Sequence, residues 1–404
     1  MKICYLSSDL GIALDGSKGA SAHIRGFVRA LKQLGHEVVL VTSSADGDAG
    51  LGMPVRVIPR PDFLSGLPME SHRRMVRALS HTSNNVMAEA VVKEVLDEFQ
   101  PDLIYERYSP FAVAGGIVAG QKKAPHILEV NALLSSEGKT YRKQALGEVI
   151  EVLELVAFEH TSSIVAVSDQ LRESLVALGV SPQKITVVPN GVDEMFFAPA
   201  QGPSGRADSD RVTIGFVGSL KRWHGIEFLA DCFRELSRNP VYHLLVVGDG
   251  PERKRLERLA EELSGRVTLA GAVRHEEVPR YLAAVDVAVA PYPKLETFYF
   301  SPLKILEYMA AGKAVVATET GQVKDLIEPE RTGLLAPPGD QQCFVNLVER
   351  LSNDRLLRER LGKSAAEEAR RLHTWRHRAG FIMEKVANRV VDGSERHERS
   401  VKVK

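Results

Sequence analysis

One segment of the chain, residues 301 to 318, places a cation and an acid on the same predicted helix: SPLKILEYMAAGKAVVAT. Ser301 is predicted to be the N-cap residue and Pro302 the first helical residue, so Lys304 falls in the first turn of the helix. An exposed cation there costs about 0.3–1 kcal/mol against the helix dipole. Two interpretations remove this conflict: either Lys304 pairs with Glu307, or an anion binds at the helix N-terminus beside Lys304 and free backbone N–H groups. In the second case, Glu307 would accept hydrogen bonds from hydroxyl groups of the same ligand.

The elements around this segment follow a strand–loop–helix order in both halves of the chain. In the first half, residues 2–9 predict a strand, a glycine-bearing loop follows, and residues 23–35 have the apolar period of an amphipathic helix. In the second half, residues 212–220 and 242–250 predict strands that end in small residues, with a helix predicted over 225–237 between them. Strands that alternate with helices at this spacing indicate parallel sheets with helices on both faces.

The same order predicts an α/β protein with two doubly wound domains. Residues 198–211 are rich in Pro, Gly, Ser and charge and predict a linker between domains 1–197 and 212–375. In such sheets ligands bind beyond the carboxyl ends of the strands, so two domains that face each other are expected to enclose a central cleft. The last predicted helix, 376–395, is expected to pack back on the first domain.

Composition excludes several classes of protein. The chain has 404 residues, of which 44% are hydrophobic and 26% charged, and its 52 basic residues balance 52 acidic ones. A neutral total argues against a dedicated nucleic-acid binder. Three cysteines without CxxC spacing argue against a zinc site or a disulfide framework, and Cys4 is expected in the core. No apolar run predicts a signal peptide or a membrane span, so a cytoplasmic location is expected.

The segment FYFSPLKILEYMAAGKAVVAT resembles the donor-sugar motif of retaining GT-B glycosyltransferases of family 4, the glycogen-synthase-like group 1 type. Further segments resemble this family in the same order along the chain: KGASAHIRGFVRALKQLGHEVVLVT, IVAVSDQLRESLVALGV, VVPNGVD, GFVGSL, VVGDGPERKRLERLA and VTLAGAVRHEEVPRYLAAVDVAVAPY. The resemblance covers almost the whole chain. Its order and spacing make chance agreement improbable.

The resemblance implies a GT-B fold, two Rossmann-like domains facing a central cleft, and a set of donor contacts. Glu307 matches the acid that binds the ribose hydroxyl groups of the nucleotide. Backbone groups of Pro302 and Leu303 would approach the diphosphate, and Val273 would lie against the base. Gly19 would approach the donor phosphates from the other domain. The donor-binding residues predicted in this way are Gly19, Gly218, Ser219, His224, Val273, Tyr299, Ser301, Pro302, Leu303, Lys304 and Glu307.

The chain departs from the family at an acid that usually contacts the donor sugar and at a histidine of the first domain. The first acid of the family's two-glutamate motif is replaced by Tyr299, and Glu296 lies three residues too early. The family's histidine after a middle strand of the first domain has no assigned counterpart. The catalytic residue is therefore unknown, and the candidates are Glu129, Asn131 and His126, of which the last is also a typical strand-edge histidine.

Two phosphate-binding cations of the family are also missing. The family's GR…KG pattern reads Gly-Ser and His-Gly here, so Ser219 and His224 stand where cations are usual. A phosphate site without a cation would be weak. Lys304, with Lys221 or Arg222, is therefore expected to supply the charge.

Three residues are candidates for the acceptor side: His23, Glu106 and Arg107. Each has a structural alternative, since polar residues are common in a first helical turn and Glu106 and Arg107 are able to pair with each other. A basic helical face at residues 72–79 is either a solvated surface or a contact with an anionic membrane.

These patterns predict transfer of a sugar from a nucleoside diphosphate sugar to an acceptor hydroxyl group, with retention of anomeric configuration. The alternatives are a GT-B nucleotide-sugar epimerase or hydrolase, and a non-catalytic nucleotide-sugar-binding partner subunit. No cofactor and no metal ion is expected, because the sequence has no metal-ligand cluster. The predicted partners are the donor and an acceptor that is a glycan, a lipid or a small metabolite, with no nucleic acid. Both a monomer and a homodimer fit the sequence, as does peripheral membrane association.

Overall fold

The computed structural model describes residues 1–16, 18–43, 50–60, 69–138, 145–198, 211–295 and 298–392, without the side chains of residues 69–71. Most of the predicted linker, residues 199–210, and Glu296 lie outside the described residues. Contacts divide the chain into two units. The first unit holds the described parts of Met1–Gly16, His23–Pro189 and Arg376–Lys404, and the second holds those of Ser17–Ala22 and Asn190–Trp375.

The first unit is built on a parallel sheet. Its strands are β1 (Lys2–Ser7), β2 (Glu37–Thr42), β3 (Val55–Val57), β4 (Leu103–Arg107), β5 (His126–Val130), β6 (Ser163–Ala166) and β7 (Ile185–Val187). They lie in the order β3-β2-β1-β4-β5-β6-β7, and each neighbouring pair is parallel. The helices between these strands are α1 (Gly19–Gln33), α2 (Met69–Phe99), α3 (Ala114–Lys122), α4 (Leu134–Glu137), α5 (Gly147–Glu159) and α6 (Asp169–Ala177).

The second unit repeats this architecture. Its strands are β8 (Val212–Val217), β9 (Tyr242–Val247), β10 (Val267–Gly271), β11 (Val287–Ala290), β12 (Ala314–Thr318) and β13 (Leu334–Ala336). They lie in the order β10-β9-β8-β11-β12-β13, again with parallel neighbours. The helices are α7 (Ile226–Leu236), α8 (Arg253–Glu262), α9 (Val278–Ala283), α10 (Leu303–Ala310), α11 (Val323–Leu326), α12 (Gln341–Asn353) and α13 (Arg355–Leu372).

Short turns and a last helix complete the described chain. The 3-10 turns are Pro182–Lys184, Glu194–Phe197, Arg222–His224 and His275–Glu277. Helix α14 (Trp375–Ile382) continues into a π-helical turn, Met383–Ala387. Contacts group this helix, from Arg376 onward, with the first unit, where Gly380 lies close to Leu34. No helix among the described residues is long and apolar enough to cross a bilayer.

The apolar patterns of the sequence coincide with the cores of the two units. The predicted stripe of α7, formed by Ile226, Leu229, Phe233 and Leu236, is buried. Strands β11 and β12 are buried along their whole length, as expected for parallel strands covered by helices on both faces. Cys4 is fully buried, which confirms its predicted place in the core. The doubly wound α/β fold class is therefore confirmed in both units.

One predicted helix start in the first unit differs from the structure. Helix α1 begins four residues before His23, so this residue lies in the second turn rather than the first. In the second unit, helix α8 begins at Arg253, and the N–H group of its N-cap residue Glu252 donates to the carbonyl oxygen of Leu220 in the loop after β8 (2.9 Å).

Candidate functional site

Helix α10 begins one residue later than the sequence predicts. Pro302 is its N-cap residue. The backbone of Pro302 is extended, and no side-chain hydrogen bond caps the helix there. Ser301 Oγ instead accepts a hydrogen bond from the backbone N–H of Asn190 (3.1 Å), and Asn190 Nδ2 donates to the carbonyl oxygen of Ser301 (3.1 Å). The prediction that Ser301 caps the helix is therefore wrong: Pro302 is the N-cap residue, and the hydroxyl group of Ser301 is hydrogen-bonded to Asn190. As in any α-helix, the N–H groups of the first turn lack intrahelical acceptors.

A buried hydroxyl group joins α10 to the sheet. Tyr308 OH accepts a hydrogen bond from the N–H group of Val217 at the end of β8 (2.7 Å). It also lies 3.3 Å from the carbonyl oxygen of Val217 and 3.5 Å from that of Val289 in β11. Burial raises the pKa of Tyr308, so this group keeps its proton. Because Gly218 follows Val217 directly, the contact sets the position of α10 relative to the loop after β8.

Lys304 is a buried cation in the first turn of α10. The residue is 7% exposed, and its Nζ lies 4.1 Å from the ring centre of Phe216 and 5.2 Å from that of Tyr292. Nζ has no hydrogen-bond partner among the described residues, and a Cβ atom at Gly218 would lie 3.1 Å from it. Burial lowers the pKa of Lys304 to about 7, against an opposing effect of Glu307. A buried ammonium group without an acceptor is costly, and this favours an anion as its partner.

The loop after β8 does not supply a second buried cation through His224. The Nδ1 atom of His224 lies 2.6 Å from the carbonyl oxygen of Ser219, to which it donates, and 3.3 Å from Ser219 Oγ. Burial and the charge of Lys304 together lower the pKa of His224 well below its ordinary value. His224 is therefore neutral at neutral pH. Lys221 is one of the residues expected to supply positive charge to this site. Its ammonium group lies over the ring of Trp223, 4.7 Å from the ring centre.

Glu307 pairs with a histidine rather than with Lys304. Glu307 Oε1 lies 2.8 Å from Nε2 of His275, and the two side chains are 12% and 14% exposed. His275 opens the 3-10 turn after β10, and its ring packs against Phe196 with 5.2 Å between the ring centres. Sequence reasoning missed His275, which is 32 residues from Glu307. Its only signal is that it lies within the segment that resembles the family's base-binding section.

The other predicted donor residues lie at separate points of the second unit. Val273 packs partly buried against its apolar core, and the ring of Tyr299 meets that of Phe300 edge-on, with 5.5 Å between their centres. Gly19, the first residue of α1, belongs to the same unit, and a Cβ atom there would lie 3.4 Å from Leu303 Cδ1. No observation tests the donor contacts of these residues, which stay predictions.

In the first unit, Glu129 is a buried carboxylate at the end of β5. Its Oε1 lies 2.7 Å from His23 Nε2 and accepts a hydrogen bond from Asn131 Nδ2 (2.5 Å). Tyr105 donates its hydroxyl to Oε2 (2.6 Å). Burial raises the pKa of Glu129, but His23, Arg107 and Tyr105 outweigh this effect and bring it down to about 2. Glu129 is therefore ionised at neutral pH and suits hydrogen-bond acceptance or charge stabilisation better than proton transfer near pH 7.

Glu106 does not pair with Arg107, the structural alternative that the sequence suggested. Its Oε2 lies 3.0 Å from Nε2 of His126, and the two side chains are 2% and 1% exposed. Glu106 also packs so closely on Gly115 of α3 that a Cβ atom there would collide with it. His126 opens β5, at the opposite end from the carboxyl edge where ligands of such sheets bind. This placement favours a structural role for the Glu106–His126 pair.

Within the part of the chain that the structure describes, no group of three or more His, Cys, Asp or Glu side chains is arranged to hold a metal ion.

Two family models match the chain over its two halves. The model described as Glycosyltransferase Family 4 matches residues 17–195, and the model described as Glycosyl transferases group 1 matches residues 211–354. Together they cover most of the sequence. The chain belongs to the GT-B glycosyltransferases. This confirms the resemblance that the sequence motifs carry.

Individual relatives differ in how much of the chain they match. The alpha-D-kanosaminyltransferase of Streptomyces kanamyceticus is 34% identical over 162 residues, which cover 39% of this chain and 40% of that protein, less than two thirds of its length. The sulfoquinovosyl transferase of Arabidopsis thaliana is 25% identical over 371 residues, or 89% of this chain and 68% of that protein. The structure of Anabaena HepE in complex with UDP covers 96% of this chain and 100% of that chain, with a TM-score of 0.72 and 20% identity, a likeness of fold.

The second unit thus brings several predicted donor residues to one place. Lys304 lies beside Gly218, and its charge helps to lower the pKa of His224. Glu307 follows on the same helix and is held by His275. The arrangement offers a helix N-terminus, a cation and a carboxylate in sequence along one element, which suits a ligand with both an anionic group and hydroxyl groups.

Proposed function

We propose that this protein transfers a sugar from a nucleoside diphosphate sugar to an acceptor hydroxyl group, with retention of anomeric configuration. The observation that supports this most strongly is Lys304, a buried ammonium group without a hydrogen-bond partner among the described residues, in the first turn of α10. Family membership supports the class of reaction. The two named relatives transfer different sugars, so the proposal leaves the sugar and the base to experiment.

The anionic part of the donor is proposed to bind at the start of α10. The leaving diphosphate gains negative charge in the transition state. The first-turn N–H groups at Leu303 and Lys304, the helix dipole and the Lys304 ammonium group are fixed before the reaction, so they stabilise this charge without reorganising. A diphosphate also supplies the acceptor that buried Nζ of Lys304 lacks.

The nucleoside is proposed to lie one turn further along the helix. Glu307 is three positions after Lys304, a rise of about 4.5 Å along an α-helix, which suits a ligand whose hydroxyl groups are a few ångströms from its phosphates. Glu307 would accept hydrogen bonds from the ribose, and Val273 would lie against the base. These contacts follow the residue types that the resemblance predicts.

The acceptor is proposed to bind to the first unit near Glu129, Asn131, His23 and Arg107. Glu129 is ionised and would accept a hydrogen bond or stabilise positive charge on the reacting sugar. The leaving phosphate would take the acceptor proton, so the proposal requires neither a protein nucleophile nor a metal ion.

The proposal is tested by a binding screen followed by product analysis. Thermal unfolding is measured with UDP, GDP and ADP and with their glucose, galactose and mannose conjugates; a ligand at one hundred times its dissociation constant stabilises a protein by about 2.7 kcal/mol. The nucleoside diphosphate that binds most tightly is called the test nucleotide below. Products of the matching nucleotide sugar are then identified by NMR, with and without a panel of acceptors. A glycosylated acceptor with the donor's anomeric configuration supports the proposal.

Three other outcomes overturn it in distinguishable ways. Turnover of the donor without acceptor identifies an epimerase or a hydrolase. Binding without turnover across the panel identifies a non-catalytic nucleotide-sugar-binding subunit. Failure of every nucleotide to bind removes the donor site itself.

A further inference from the structure

The carboxylate of Glu307 is only half satisfied. Oε1 lies 2.8 Å from Nε2 of His275. No hydrogen bond reaches Oε2 from any residue that the structure describes, although the side chain is only 12% exposed. A carboxylate group has room for about four hydrogen bonds, so one that receives a single bond has unused acceptor capacity. Oε2 is therefore available to a ligand that donates hydrogen bonds.

His275 limits the positions that this carboxylate is able to adopt. The side chain of a glutamate has several rotatable bonds, and fixing it costs conformational entropy. The hydrogen bond to Nε2 fixes one oxygen, and the ring of His275 is itself fixed by Phe196 at 5.2 Å between ring centres. The backbone N–H of Arg274 donates to Glu277 Oε2 (3.1 Å), which braces the turn that carries the histidine. His275, the hydrogen-bond partner of Glu307, is thus itself held by other contacts.

The position of Glu307 relative to Lys304 indicates which ligand hydroxyl groups would reach Oε2. Lys304 Nζ is buried in the first turn, and Glu307 follows one turn later on the same helix. A ligand anchored by its phosphates at the first turn would present its sugar hydroxyl groups at the second. In a nucleoside diphosphate those groups are the ribose 2′- and 3′-hydroxyls.

We propose that His275 is a positioning residue, which holds the Glu307 carboxylate so that Oε2 accepts hydrogen bonds from the ribose hydroxyl groups of the donor nucleotide. This inference rests on the proposed function, because it needs a nucleoside diphosphate at α10. It adds a residue from a different segment to the donor site, and it assigns that residue a role in discriminating ribose from deoxyribose.

The experiment compares binding of the test nucleotide and of its 2′,3′-dideoxy analogue by calorimetry. The wild-type protein is expected to prefer the ribose form by about tenfold or more, the size of one good hydrogen bond to a charged group. In His275→Ala this preference is expected to fall to about twofold, because the carboxylate is no longer held in place. His275→Gln retains a side-chain N–H donor and is expected to recover most of the preference.

Two controls separate positioning from a general structural effect. His243→Ala removes another hydrogen-bonded histidine of the same unit, whose Nε2 lies 2.9 Å from Thr268 Oγ1, and is expected to leave the preference unchanged. In a Glu307→Gln background, His275→Ala is expected to have no further effect on the preference, since it acts through the carboxylate. The unfolding temperature of each variant without ligand shows whether it is folded.

The outcomes distinguish this inference from the proposed function. If the wild-type protein prefers the ribose form and His275→Ala keeps that preference in full, the positioning role is wrong and the donor site stands. A loss of affinity for both ligands by the same factor in His275→Ala also overturns it, since a merely structural role predicts that result. If the wild-type protein binds no nucleoside diphosphate, both proposals fail.

Discussion

Lys304 has an environment that disfavours its own charge. Its ammonium group contacts the rings of Phe216 and Tyr292 but no acceptor among the described residues. Such a group costs the folded protein free energy, which a bound anion would recover. The residue is therefore expected to weaken the ligand-free fold and to strengthen ligand binding, and opposite effects of this kind are typical of a functional site.

We expect Lys304→Met to stabilise the ligand-free protein at pH 6 by about 1 kcal/mol or more, because it removes a buried unpaired charge. The same substitution is expected to weaken binding of the test nucleotide about tenfold or more, since a hydrogen bond to a charged group is lost. Urea unfolding and calorimetry measure the two effects. The matched control is Lys254→Met on the exposed face of α8, where both are expected to stay small. A destabilised variant with unchanged affinity would assign Lys304 a structural role.

The pKa of Lys304 predicts how binding depends on pH. In the folded protein it is about 7, below the ordinary 10.5, so the unfolded chain binds more protons between these values and this group makes stability rise with pH there. A bound anion raises the pKa, so binding above pH 7 takes up a proton. Affinity for the test nucleotide is then expected to fall by up to about tenfold per pH unit above about 7.

Calorimetry in buffers of different ionisation enthalpy counts the protons that binding takes up. Lys304→Met serves as the reference, because it keeps the titration of the nucleotide phosphates and removes that of the lysine. Equal proton uptake by the wild-type protein and this variant, across the range from about pH 6 to about pH 9, would show that Lys304 does not titrate on binding.

The residues of the site differ in how far the sequence predicts them. Lys304 and Glu307 are visible because they lie on one helix, where a cation in the first turn conflicts with the dipole. His275 is not visible, because its contact with Glu307 joins two segments 32 residues apart and depends on how they pack. The contact between Ser301 and Asn190 is missed for the same reason, and it displaces the predicted N-cap. Periodicity within one element says nothing about such pairings.

At the scale of elements, the loop between β8 and α7 depends on glycine. Gly225 has a φ angle of +74°, and a Cβ atom there would collide with the carbonyl oxygen of Pro291. Gly265 has a φ angle of +73°, but among the described residues no atom beyond its own and its chain neighbours' lies within 4 Å of the place where its Cβ would be. An alanine at Gly265 therefore measures the cost of the backbone angle alone, whereas an alanine at Gly225 adds the cost of the collision.

We expect Gly265→Ala to cost about 1–2 kcal/mol, the usual penalty of a left-handed backbone for an L-residue. Gly225→Ala is expected to cost about 1–3 kcal/mol more, because the loop has to move away from Pro291. It is also expected to weaken binding of the test nucleotide, since His224 lies in the displaced turn. Urea unfolding gives the two stabilities, and equal costs would mean that the close approach to Pro291 does not constrain the loop.

Elements themselves are predicted well where their pattern is local. The strand–helix order and the buried stripe of α7 follow from apolar periodicity, and the parallel sheets follow from that order. Helix starts are predicted less well, since α10 begins one residue later than predicted and Ser301 bonds to Asn190 in another segment. The buried pair of Glu106 and His126 likewise depends on register between β4 and β5, which the sequence of either strand does not reveal.

At the scale of the whole molecule, the two units share an architecture but differ in their buried charges. The second has an unpartnered lysine at a helix N-terminus, whereas the described part of the first has Glu129, whose pKa is lowered to about 2 by its partners. The positive charge of Lys304 attracts a diphosphate, and the negative charge of Glu129 repels it. The charge pattern therefore supports the proposed placement of the donor on the second unit, a division that sheet topology alone does not determine because both sheets are doubly wound.

We expect hydrogen–deuterium exchange to locate the test nucleotide in the second unit. At about one hundred times its dissociation constant the ligand adds about 2.7 kcal/mol to the stability of the segments that it holds. Amide protection is therefore expected to rise at residues 218–225, 273–277 and 301–308, and to change little in β2 and β3 of the first unit. Lys304→Met at the same nucleotide concentration should show smaller protection at these segments, because less nucleotide is bound. Protection centred on Glu129 instead would place the nucleotide on the first unit and contradict the assignment of the donor site to α10.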